Sequence, residues 1–130
     1  MRSDLTKSQR RRIRELAATA YDRELSRELG SVEEEFGRWR RAEIDAYELT
    51  QRIHRFHQGP NRSLHSIYTS SDLEMVVGAA IAKGILTEQE AGPEIVRLLE
   101  NWIDFTRRSL APTGDNDADG ADELERDSSR

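Results

Sequence analysis

All three histidines of the 130-residue chain lie in one short segment, "RIHRFHQGPNRSLH", which begins at Arg52. They are His54, His57 and His65. Imidazole nitrogens can bind a metal ion or move a proton near neutral pH. His54 and His57 are one helical turn apart, so one alternative is a metal site completed by His65 or a carboxylate. The interpretation we favour is that these histidines are structural, with His57 at the margin of an apolar helix face, where it hydrogen-bonds a neighbouring helix or loop.

A second alternative is nucleolytic. The segment "RIHRFH" places Arg52 five residues before His57, and this spacing resembles the Arg-x(4–6)-His signature of HEPN domains over six residues. The resemblance implies a helical bundle that dimerises and cleaves RNA. In that case Arg52 positions a phosphate and His57 cleaves the RNA.

A cluster of arginines near the N-terminus is a further candidate site. Its members, all candidates for binding phosphate or nucleic acid, are Arg10, Arg11, Arg12 and Arg14. Guanidinium groups bind phosphates, and such binding is sensitive to salt. However, no aromatic residues alternate with these arginines, and the chain carries a net charge of −5. We therefore expect a solvated helix face here, and we consider nucleic-acid binding less favoured than protein binding.

Composition excludes several classes of function. The chain has no cysteine, which rules out disulfides and thiolate catalysis. It has no secretory leader pattern, and its longest apolar run, "MVVGAAIA", is too short to span a bilayer. We therefore expect a soluble, cytoplasmic protein without membrane contact. Eighteen of its 20 basic residues are arginine, a bias associated with GC-rich bacterial genomes.

The fold class predicted is all-α, a small helical bundle of residues 1–110 followed by a disordered acidic tail, 111–130. The tail carries seven acids and two arginines and has almost nothing to bury. A capping box at Thr6 and Gln9 opens a helix whose apolar residues recur every three or four positions as far as Trp39. This pattern predicts either one long helix from about Lys7 to Arg41 or a hairpin with a kink at Gly30.

The remaining helices are marked by local signals. Asp45 caps a helix predicted to stop at Gly59 and Pro60, and a short segment follows over about 62–69. Ser71 is predicted to cap a central helix over 72–83. Thr87 opens a short turn, and Pro93 begins a last helix to about residue 108.

These observations favour a binding protein over an enzyme. A helix longer than its own bundle leaves part of its apolar stripe for a partner, most simply a second copy of the chain. We therefore predict an interaction or regulatory module that binds another macromolecule, forms a homodimer and needs no cofactor. The predicted contact residues are Tyr21, Phe36, Trp39, Tyr47 and His54.

Overall fold

The computed structural model describes residues 5–70 and 72–111, and within these ranges the chain is helical, without a β-strand. The all-α fold class is therefore confirmed. The helices are α1 (Lys7–Arg40), α2 (Ala46–Phe56), α3 (Arg62–Ser70), α4 (Leu73–Ala82), α5 (Glu88–Ala91), α6 (Pro93–Leu98) and α7 (Glu100–Leu110). A π-helical turn, His57–Asn61, joins α2 to α3. The predicted acidic tail beyond residue 111 lies outside the described residues.

The first helix is continuous through Gly30, as one of the two alternatives predicted. It begins at the predicted capping box, where the Thr6 hydroxyl accepts a hydrogen bond from the Gln9 backbone and the Gln9 side chain accepts one from the Thr6 backbone. Its 34 residues span about 51 Å at 1.5 Å per residue. It is therefore far longer than the ten-residue α4.

The core lies at the N-terminal end of α1. There Ile13, Leu16, Ala17 and Ala20 pack against apolar side chains from the second half of the chain. The partners, from α4 through α7, are Val77, Ala80, Ile81, Leu86, Ala91, Ile95, Leu99 and Ile103. Gly78 permits the close approach of α4 to α7, because a Cβ atom at this position would lie 2.6 Å from the Trp102 Cβ.

Beyond Ala20 the long helix leaves this core and pairs with the next part of the chain. Residues 21–70, here called the arm, comprise the rest of α1, then α2, the π-helical turn and α3. Among the arm's described side chains, Leu49 is the only buried one. The arm is thus two helical layers with almost no core of its own.

The structure corrects the predicted stop at Gly59 and Pro60. The chain continues from α2 into α3 through the π-helical turn, with Pro60 inside it. Proline has no N–H to donate to the preceding turn, and a π-helical turn can accommodate that missing hydrogen bond while the helix continues.

Two smaller differences concern helix ends. Asp72 caps α4 by accepting a hydrogen bond from the Glu74 backbone, whereas the predicted cap, Ser71, lies outside the described residues. The predicted last helix is divided at Leu99 into α6 and α7. The beginnings at Thr87 and Pro93 are as predicted.

Candidate functional site

Two of the three histidines line the same surface pocket. His57 and His65 border a pocket of about 530 Å³ between α1, the π-helical turn and α3. The other residues that line it are Tyr21, Asn61, Arg62, Ser66 and Thr69. His54 is exposed and lies outside this group. Within residues 5–70 and 72–111, no cluster of three His, Cys, Asp or Glu residues could hold a metal ion.

The π-helical turn explains why His57 and His65 lie on one side. In a regular α-helix, eight residues correspond to a rotation of 800°, which would separate the two side chains by about 80°. A π-helical turn rotates less per residue, so it reduces this angle. Asn61, at the end of the turn, places its Nδ2 atom 3.3 Å from Nδ1 of His57. The turn therefore builds one wall of the pocket.

The pocket is lined by hydrogen-bond donors and by no carboxylate. Residues 49–71 contain no Asp or Glu, although the whole chain contains 25. Arg62 donates a hydrogen bond of 3.1 Å to Oε1 of Gln58 and forms no ion pair with the described part of the chain. This acid-free run is the sequence signal that could have indicated the pocket.

Arg52 lies in a different environment from His57. Its guanidinium group donates to carboxylates of Glu35 on α1 and Glu48 on α2, and these contacts raise its pKa, with the Glu35 hydrogen bond as the main cause. Arg52 borders a groove of about 430 Å³ that is separate from the pocket at His57. The two residues of the HEPN-like spacing thus line different pockets of the chain, and Arg52 is paired with carboxylates.

Two of the four N-terminal arginines stabilise the fold. Arg10 donates to the backbone oxygen of Leu5 at 2.9 Å. Arg12 donates to the backbone oxygen of Glu90 at 2.6 Å, which ties α1 to α5. Arg11 and Arg14 are exposed side chains on the same helix. The cluster is therefore partly a set of structural contacts, and its role in nucleic-acid binding stays a prediction.

The predicted contact residues lie in several places on the arm. Tyr21 is half-buried and stacks on Tyr68, with ring centroids 4.9 Å apart. Phe36 meets Trp39 edge to face near the C-terminal end of α1, and Trp39 is 42% exposed. Tyr47 is 73% exposed. The helical rotation places Tyr47 and His54 together on the side of α2 that faces away from the buried Leu49.

The arm has two unlike sides along its length. One side is the groove at Arg52, and half of the residues that line it are charged, among them Glu28, Glu35 and Arg55. The helical rotation places a second set of side chains on the opposite side. This set, here called the apolar face, consists of Leu25, Leu29, Phe36 and Ile53. Leu29 is 49% exposed and Ile53 is 36% exposed.

Among the described residues, none of the helices has the length and apolar character required to cross a membrane. Comparison of the chain with protein-family models, curated proteins and solved structures found no match. Any functional conclusion therefore depends on the geometry of the arm and of its pocket.

Proposed function

We propose that this chain is a self-associating interaction module whose arm binds the arm of a second copy. The observation that carries the proposal is that Leu49 is the only buried side chain among those described in the arm. Two-helix structures gain most of their stability from tertiary packing of an apolar face. A second arm laid on the apolar face would supply the missing layer and form a four-helix bundle.

The apolar face has the composition of such a contact. Its four residues are large and apolar, and they come from both helical layers of the arm. On the opposite side, at the groove, Arg52 forms ion pairs with the carboxylates of Glu35 and Glu48. Association through the apolar face would remove exposed apolar surface, including that of Leu29 and Ile53, from water.

The charges beside the apolar face favour a second copy as the partner. Arg40 follows Asp22 by 18 residues, or about five turns, so the two exposed side chains lie on the same edge of α1. If two copies of α1 run antiparallel, Asp22 of each copy faces Arg40 of the other. The symmetry axis then passes near residue 31, next to Leu29. The edge is thus complementary to itself, as a twofold interface requires.

Sedimentation equilibrium of the full chain tests the proposal. We expect the wild type to form a dimer and Leu29→Gln to weaken the dimer at least about tenfold, because a polar amide replaces an apolar side chain at the centre of the interface. Leu110→Gln is the matched control, since Leu110 is 56% exposed but lies on α7. A monomeric wild type, or equal effects of the two substitutions, would contradict the proposal.

A further inference from the structure

We propose that the pocket between His57 and His65 binds a phosphate group. The inference is independent of self-association, since it depends on the π-helical turn, α3 and Tyr21 within one chain. The pocket's volume of about 530 Å³ is in the range of small-molecule sites. It is large enough for a phosphate ester as well as for the free anion.

The charge of the pocket favours an anion. Arg62 is the one permanently charged residue that lines it, and its guanidinium group has no carboxylate partner in the described part of the chain. Arg52, by contrast, is paired with Glu35 and Glu48. The planar guanidinium donors match the oxygens of phosphate, and Arg62 donates only to a neutral amide, which a ligand can replace.

Other hydrogen-bond donors line the pocket beside this cation. The side chains of His57, Asn61, His65 and Ser66 can each donate a hydrogen bond to a phosphate oxygen. Glu24, a carboxylate on the adjoining part of α1, accepts a hydrogen bond of 2.5 Å from the Tyr68 hydroxyl and does not line the pocket.

Tyr21 gives the pocket an aromatic wall. Its ring stacks on that of Tyr68 with an angle of 6° between the planes, which fixes its orientation. A rigid tyrosine ring beside a phosphate site can contact the sugar or base of a nucleotide. The group that the pocket recognises is phosphate. The ligand that carries it is either free phosphate or a phosphate ester.

The test is titration of the ¹⁵N-labelled full chain with inorganic phosphate, AMP and adenosine, followed by the NMR signals of the histidine side chains. We expect phosphate to shift His57 and His65 saturably and to leave His54 unchanged. Tighter binding of AMP than of phosphate identifies an ester as the ligand, whereas equal binding identifies the free anion. If neither phosphate nor AMP shifts the two histidines, or if adenosine binds as well as AMP, the proposal is wrong.

Two variants make the test specific. Arg62→Gln removes the cation from an exposed position and should weaken phosphate binding about tenfold or more, with the helical circular dichroism unchanged. His54→Gln is the matched control, because His54 lies on the same arm outside the pocket. Equal affinities in the two variants would overturn the proposal.

Discussion

Arg23 of the long helix and Glu90 of α5 are joined by two parallel hydrogen bonds. Nη1 of Arg23 donates to Oε2 of Glu90 at 2.7 Å, and Nη2 donates to Oε1 at 2.8 Å. The same carboxylate accepts a 2.7 Å hydrogen bond from the Thr87 backbone. Mainly through Arg23, and then through Thr87, these contacts lower the pKa of Glu90 to about 2. The pair fixes α1 to the bundle where the arm begins.

The lowered pKa of Glu90 predicts a stability loss in acid. The stabilising contribution is fully present above the ordinary pKa of 4.5 and is lost as the pH falls from 4.5 toward 2, because the unfolded chain takes up the proton first. In thermal unfolding measured by circular dichroism, we expect Glu90→Gln to lower Tm at neutral pH and to reduce the decrease of Tm over this interval. Asp104→Asn, an exposed acid on α7, serves as the control. An unchanged acid dependence in Glu90→Gln would refute this account of the pair.

Alanine substitutions at two glycines should change the stability of the chain in opposite directions. A Cβ atom at Gly30 would have no heavy atom within 4 Å, so Gly30→Ala should stabilise the chain by up to about 1 kcal/mol through its higher helix propensity. A Cβ atom at Gly78 would lie 2.6 Å from the Trp102 Cβ, so Gly78→Ala should destabilise it by about 1–3 kcal/mol. Urea unfolding at one fixed protein concentration measures both. Loss of stability in Gly30→Ala would show that the helix requires flexibility at this position.

The antiparallel arrangement of two arms predicts how the dimer responds when the charges at Asp22 and Arg40 are exchanged. Asp22→Arg and Arg40→Asp should each weaken the dimer by about tenfold, since each places like charges together at two equivalent contacts. The double variant should restore the dimer, because it exchanges the partners without changing the net charge. Sedimentation equilibrium at low salt measures the dissociation constants of the two single variants and of the double variant. Additive weakening in the double variant would exclude this pairing.

The sequence predicted the parts of the fold that depend on neighbouring residues. The capping boxes at Thr6 and Thr87 are local hydrogen-bond patterns, and both begin helices as predicted. The apolar stripe predicted the long helix, but it could not decide between continuity and a kink at Gly30. That choice depends on what the two halves of the helix contact elsewhere in the chain. The division of the last helix at Leu99 was likewise not indicated by local residues.

The candidate pocket was harder to predict. Glycine followed by proline usually ends a helix, so the continuation of the chain through Pro60 depends on the packing of the arm. Regular α-helical periodicity does not place His57 and His65 on the same side. The π-helical turn is needed to bring them together. Tyr21 joins them from a helix far away in the sequence. The absence of Asp and Glu from residues 49–71 is the sequence feature that points to the proposed anion site.

The most direct test of the central claim, pairing of two arms, is a distance measurement between copies. Because the chain has no cysteine, Glu33→Cys gives one spin label per copy, on the α1 edge beside the apolar face. The antiparallel arrangement places the two labels on either side of an axis near residue 31, so electron–electron dipolar spectroscopy of the full chain should give one distance below about 30 Å. A signal without dipolar modulation, or a distance well beyond that value, would contradict the account.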